Sequence, residues 1–174
     1  VVYMASYAPL FARINYTQWS PDMIWFDDAN SYGSPTYYVQ KLYGNNLGDY
    51  TLKSTLKNYG TSEGIYSNAS YDNETGDIII KLANPKDTEE AIPMKLNGFN
   101  LTGTGTQEQI TQDLQVYNTI ANPENVSPVI SNVTGVTSDF NYTVPSHSFT
   151  VLRLATKAQT PVKEEEQPPV LPEP

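Results

Sequence analysis

Acidic side chains supply most of the reactive groups in this chain: 19 Asp and Glu stand against ten Lys and Arg, one His and no Cys. With His147 as the only histidine, neither a His-pair metal site nor a self-contained Ser-His relay has plausible partners, so His147 reads as a polar residue at a strand edge. The absence of cysteine excludes a disulfide framework and a Cys-based metal or redox centre. Glu63, Glu74, Glu89, Glu90, Glu108 and Glu124 fall in loops and turns, and the remaining glutamates in a Pro/Glu-rich tail. Asp27 and Asp28 stand at a more informative place, between the apolar run Met23-Ile24-Trp25-Phe26 and the polar residues Asn30, Ser31 and Tyr32. Groups just past the carboxyl end of a buried strand are where α/β enzymes hold ligands, and Ser6-Tyr7 follows an earlier run in the same way. The same aspartates also read as an ordinary turn that caps and solvates a loop. Trp19 and Trp25 have faces that can stack on sugar rings, although core or interface is the commoner fate of large aromatics. Asp72-Asn73-Glu74-Thr75-Gly76-Asp77 has a superficial calcium-loop look without the register or the closing Glu, and a hairpin turn accounts for it. Gly103-Thr104-Gly105 lacks the lysine of a phosphate loop and reads as flexible loop.

Two kinds of element must position these groups. Residues 1–46 alternate strand and helix: an apolar run from Val1 to Tyr7, a short helical turn at Pro9-Leu10-Phe11-Ala12, a second apolar run of the kind buried on both faces of a parallel sheet, then a helix. Ser34-Pro35 opens that helix, Tyr37, Val39, Gln40, Leu42 and Tyr43 continue it, and Gly44-Asn45-Asn46 closes it. From Leu47 the pattern becomes β. Strands are expected over residues 50–56, 65–71, 78–84, 92–96, 109–117, 127–134, 141–144 and 148–154, with the turn at 72–77 joining two of them as a hairpin. Short strands with turn signals every ~8–12 residues describe a sandwich or jelly roll.

At three separated blocks the first segment resembles a known family. Ala5-Ser6-Tyr7-Ala8-Pro9-Leu10-Phe11-Ala12, then Trp19-Ser20-Pro21-Asp22-Met23-Ile24 with Phe26-Asp27, then Ser34-Pro35-Thr36-Tyr37-Tyr38-Val39-Gln40-Lys41-Leu42, are similar to the end of the catalytic barrel of family-51 glycoside hydrolases, the α-L-arabinofuranosidases. Residues 66–72, 76–84 and 145–154 are similar to the sandwich domain of the same family. The resemblance implies a mainly β chain. An antiparallel, jelly-roll-like β-sandwich at 47–156 follows an α/β remnant of a (β/α)8 barrel at 1–46, and 157–174 is a disordered tail or linker. It also implies retaining hydrolysis of terminal α-L-arabinofuranosyl groups in arabinan or arabinoxylan, by two glutamates on barrel strands that precede Val1. This chain would then hold no catalytic carboxyl, no metal and no cofactor, and by itself be inactive. Its own candidates are rim residues: Tyr7, Asp27, Asp28, Asn30 and Tyr32. The resemblance leaves room for an oligomer formed through the barrel. The alternative is a non-catalytic carbohydrate-binding or structural sandwich module, to which the barrel-like opening is foreign.

Composition narrows the partners. A net charge of −9, with basic residues scattered rather than striped, would repel phosphate and argues against nucleic acid. Thirteen tyrosines among many Asn and Thr suit a neutral polyhydroxylated partner. No apolar run approaches the roughly 18–20 residues that span a bilayer, so no membrane partner is expected. An extracellular or periplasmic setting is favoured. Seven Asn-x-Ser/Thr sequons, at Asn15, Asn68, Asn73, Asn100, Asn125, Asn132 and Asn141, would matter in a eukaryotic secretory protein. In a chain this rich in Asn and Thr they arise by chance, which is the favoured reading.

Overall fold

A computed structural model describes residues 6–56 and 64–157; the expectations for residues 1–5, for Glu63 and for the Pro/Glu-rich tail lie outside them. The sandwich is built from β4 (Tyr50–Thr51), β5 (Tyr66–Tyr71), β6 (Asp77–Asn84), β7 (Glu90–Lys95), β8 (Leu101–Thr111), β9 (Val129–Thr134), β10 (Asp139–Val144) and β11 (Ser148–Thr156). Six of them form an antiparallel sheet of order β4-β5-β6-β11-β8-β9, and β10 pairs with β7 in a second, two-stranded sheet. The strand at residues 78–82 thus lies beside the centre of the larger sheet, where its continuous apolar character belongs. Pro93 is tolerated in β7 because that strand has β10 as its one neighbour and can leave the other edge unpaired.

Alternation along the central strands gives the sheet two covered faces. Ile78, Ile80 and Leu82 of β6, with Leu152 and Leu154 of β11, meet Ile92, Met94, Tyr142 and Val144 of the small sheet. Ile79, Phe149 and Val151 point the other way, onto Ile110, Val126 and Leu42 of α1 (Pro35–Asn45), with Tyr38 and Val39 packed alongside. Tyr43 stacks on Phe149 at a ring separation of 4.9 Å. The helix therefore forms part of the layer that buries the sheet's outer face.

Local chemistry starts and stops this helix. The Ser34 side chain accepts from the Tyr37 N–H at 3.3 Å, and Pro35 occupies the first turn, where a missing N–H costs nothing. At the other end the buried Asn46 serves as a hub. Its Nδ2 donates to Leu42 O and to Glu108 Oε1, both at 3.1 Å, and its Oδ1 accepts from Arg153 at 3.3 Å. Its carbonyl accepts from the Lys81 ammonium at 2.6 Å, a cation at the negative end of the helix dipole. Burial, and then the nearby Arg153, lower the Lys81 pKa. Asn46→Ala should cost about 1–3 kcal/mol, since buried partners are left without their bonds. Urea unfolding measures this, and a midpoint equal to that of the parent would show that the hub is dispensable.

Several elements differ from expectation. Residues 9–12 hold no helical turn: Pro9 and Leu10 carbonyls accept from Met23 and Ile24 N–H groups, and the chain runs on as β1 (Phe11–Arg13). Residues 31–33, read as loop, form β3 (Ser31–Gly33). Gly103 and Gly105 lie inside β8, where a Cβ on Gly105 would collide with the Arg153 carbonyl, beside a register shift between Leu154 and Thr156. Gly105 therefore marks a close approach at an irregularity, and Gly103 a strand residue at a positive φ of 94°, neither of them a loop. Glu108 lies on β8 and Glu90 opens β7, rather than both sitting in turns. Strand β8 ends at Thr111, so residues 112–117 are irregular, and β4 is two residues long, after which Leu52 and Leu56 lean on the core.

Candidate functional site

The candidate rim residues sit on a three-stranded sheet that precedes α1. Strand β2 (Ile24–Phe26) pairs with β1 in parallel and with β3 antiparallel, so the apolar run lies in a mixed sheet instead of the all-parallel one its composition suggested. Asp27 makes the hairpin from β2 to β3. Its N–H donates to Asn30 O at 3.0 Å, and its Oδ1 accepts from the N–H groups of Ala29 and Asn30 at 2.8 and 2.7 Å. Those two backbone bonds hold the Asp27 carboxyl below the usual Asp pKa. The side chain is thus engaged in the turn, the role that Asp commonly takes. Asp28 points elsewhere and pairs with Arg13 at 2.5 Å across the exposed end of the sheet.

Asp27, Asp28 and Asn30 share the end of the sheet where β1 and β2 finish. Tyr7 precedes β1, beyond the end where both strands begin, so the structure does not bring it to that turn. Tyr32 lies opposite Trp25 in the middle, half-buried; burial and then the nearby Tyr117 raise its pKa. The two tryptophans separate. Trp25 is half-buried with Nε1 donating to Asp22 O at 3.1 Å, whereas Trp19 stands out in solvent.

A residue that sequence reasoning missed fastens the sandwich to this sheet. Asn118, 2% exposed, donates through Nδ2 to Gly33 O at 2.8 Å and to Val126 O at 2.9 Å, and accepts from Val126 N–H at 2.6 Å. The clamp seats residues 112–128 against the end of β3 and brings Tyr117 near Tyr32. No local signal marks it. An Asn in a Thr/Asn/Pro-rich stretch looks like any loop residue until Gly33, 85 positions earlier, arrives beside it.

The remaining candidates have structural uses. Asp72 and Asp77 hold the Arg153 guanidinium at 2.6 and 3.0 Å, while Asp72 Oδ1 accepts from Glu74 and Thr75 N–H groups and Gly76 takes a positive φ of 75°. This is a capped hairpin turn between β5 and β6. His147 occupies the turn between β10 and β11 at φ 42°, with its Nε2 2.7 Å from Asp87. Among the described residues no cluster of three or more metal-ligating side chains occurs.

Known proteins share this arrangement. The profile of the α-L-arabinofuranosidase C-terminal domain matches residues 1–148. Alpha-L-arabinofuranosidase 1 of Arabidopsis thaliana is 32% identical over 94% of this chain and 25% of its own length. A probable alpha-L-arabinofuranosidase A of Aspergillus terreus is 33% identical over 87% of the chain and 23% of its own. The solved structure of an arabinose-bound family-51 α-L-arabinofuranosidase superposes with a TM-score of 0.79 at 31% identity, across 87% of this chain and 24% of that one. The chain thus spans about a quarter of the length of these relatives. With the profile match over residues 1–148 and relatives at 31–33% identity across most of its length, the chain belongs to the family-51 α-L-arabinofuranosidases, as their C-terminal domain.

Proposed function

We propose that this chain serves a retaining α-L-arabinofuranosidase that hydrolyses terminal non-reducing α-L-arabinofuranosyl residues of arabinan or arabinoxylan-type hemicellulose, in an extracellular or periplasmic setting. The observation that carries this reading is the match across residues 1–148, together with a 31% identical relative whose structure holds arabinose. In this reading residues 1–46 are the end of a (β/α)8 barrel with its final helix, 47–156 the sandwich, and 157–174 a linker. The two carboxyls that a retaining enzyme needs about 5–5.5 Å apart come from residues outside this chain. What the chain supplies is position. The Asn118 clamp and the Leu42 contact join the sandwich to the segment that bears Asp27, Asp28 and Asn30, which share one end of its sheet and form part of the rim over which the glycan passes, while Tyr7 lies toward the opposite end and Tyr32 in the middle. Asp28, paired with Arg13 and largely exposed, is the rim carboxylate with lone pairs to offer sugar hydroxyls.

The test is turnover. The intact enzyme carrying this chain should release arabinose from an aryl α-L-arabinofuranoside, and the purified 174-residue chain should release none. Measured turnover by the chain alone, abolished by changing one of its own glutamates, would overturn the assignment of the catalytic pair.

A further inference from the structure

We propose that Asn118 is a positioning residue for the rim: from within the sandwich it fixes the hairpin that carries Asp27, Asp28 and Asn30, an inference that rests on the reading above. A side-chain amide has two N–H donors and one carbonyl acceptor. In Asn118 both donors go to carbonyls, Gly33 O at 2.8 Å and Val126 O at 2.9 Å, and the oxygen accepts from the Val126 N–H at 2.6 Å. The two bonds to Val126 close residues 118–126 on themselves, much as a strand pair would. The third leaves the loop and reaches Gly33.

Gly33 is the base of that hairpin, where β2, β3 and α1 meet. It lies opposite Ile24, and the next residue, Ser34, donates its N–H to Met23 O at 2.8 Å while its side chain caps α1. A Cβ at Gly33 would collide with the Tyr37 ring, so the backbone there has no slack on the helix side. From this base β2 and β3 run side by side to the turn, where Asp27 Oδ1 holds the Ala29 and Asn30 N–H groups. A paired and capped hairpin moves as a unit, so a shift at its base is passed to the turn roughly 10 Å away, at ~3.3 Å per residue. In the three-stranded sheet β3 has β2 as its one neighbour, and Asn118 supplies its bond to the sandwich.

Burial makes the tether firm. Asn118 and Val126 are both buried within this chain, and further chain packed around them can bury them deeper but not free them. Val126 also packs with Leu42 of the helix, so the amide that tethers Gly33 seats the apolar contact beside it. An Asn that merely closed its own loop would need the Val126 bonds alone. The donation to Gly33 adds nothing to that closure and places its constraint on the rim instead. A misplacement of about 1 Å in groups that orient a substrate can cost on the order of a hundredfold in rate, so a loosened base is enough to disturb a glycan that crosses the turn.

Two substrates of different length, given to the intact enzyme, test this. In Asn118→Ala, kcat/KM on a linear arabino-oligosaccharide should fall about tenfold relative to kcat/KM on an aryl α-L-arabinofuranoside, because the longer substrate crosses the rim. That ratio does not depend on how much of the enzyme is folded, so lost folding cannot imitate the effect. Asn118→Asp keeps an acceptor for the Val126 N–H but, ionised, has no donor for Gly33, and should shift the ratio in the same direction. In the 174-residue chain, Asn118→Ala should speed amide exchange at residues 31–33 about tenfold while residues 78–82 stay as protected as in the parent. An unchanged ratio with a lowered thermal midpoint would make Asn118 a structural fastener alone and overturn the proposal, as would unchanged exchange at residues 31–33. A parent enzyme that cleaves neither substrate would sink the arabinofuranosidase reading, while the exchange result would still decide whether Asn118 fixes the hairpin.

Discussion

Leu152→Ala should lower the free energy of unfolding by about 3–5 kcal/mol, the range for a leucine truncated in a core that cannot collapse around the loss. Leu152 is 0% exposed, and it sits on β11 opposite Ile80, flanked by β6 on one side and β8 on the other. Few backbones have less room to move inward. Against a total stability of about 5–15 kcal/mol for an ordinary domain, that single change removes about a fifth or more. Leu42→Ala, on the helix, should cost about 2–4 kcal/mol by the same mechanism, because Leu42 fills the cluster with Ile79, Phe149 and Val151. Both variants should move the urea midpoint with little change in slope, and should melt in one transition, since the two clusters share strands β6 and β11. A Leu42→Ala variant that loses helix signal at a lower temperature while the sheet persists would show that the helix is only loosely attached.

How much of this was legible from residues depends on the range over which each signal acts. The apolar run at 78–82 and the alternation at 148–154 are local, and both became central strands. The turn at 72–77 was equally local, because Asp72 caps it and Gly76 supplies the positive φ. The helix announced itself through Ser34, Pro35 and the closing asparagines. The failures involve partners far away in sequence. Strands β1 and β3 are three residues each and exist because β2 lies between them, so neither has a period long enough to read. Gly105 looked like loop because its reason, the Arg153 carbonyl, lies on another strand. Asn46 and Asn118 each carry a polar joint between distant elements, yet their spacing resembles that of any surface asparagine. The rim was legible only as residue types: Asp27 and Asp28 are adjacent, but the fold spends the first on a turn and leaves the second facing out with Arg13.

Arg153→Met should cost about 2–4 kcal/mol near neutral pH and should also change how the protein responds to acid. Arg153 donates to Asp72 at 2.6 Å, to Asp77 at 3.0 Å, to Thr75 at 3.0 Å and to Asn46 at 3.3 Å, with its side chain and both carboxylates mostly out of water. Removing the guanidinium leaves two carboxylates near one another without a counter-charge, which is costlier than replacing the whole cluster with apolar groups. The Arg153 hydrogen bond, followed by the Thr75 N–H, brings the Asp72 pKa down to about 2 from 3.8. A carboxyl whose folded pKa is depressed adds stability above its unfolded value and loses it as the pH falls through the folded one. Asp72 thus contributes about 1–2 kcal/mol at neutral pH, allowing for its partly wet edge, and that contribution disappears between about 3.8 and about 2. In Arg153→Met the folded pKa returns toward 3.8, so this part of the acid slope should flatten even as the whole curve drops. Urea unfolding of both proteins at several pH values across that window reads the two effects separately. Equal stability at neutral pH, or an acid slope as steep in the variant as in the parent, would show that the pin between the hairpin turn, β11 and the end of the helix does not carry this energy.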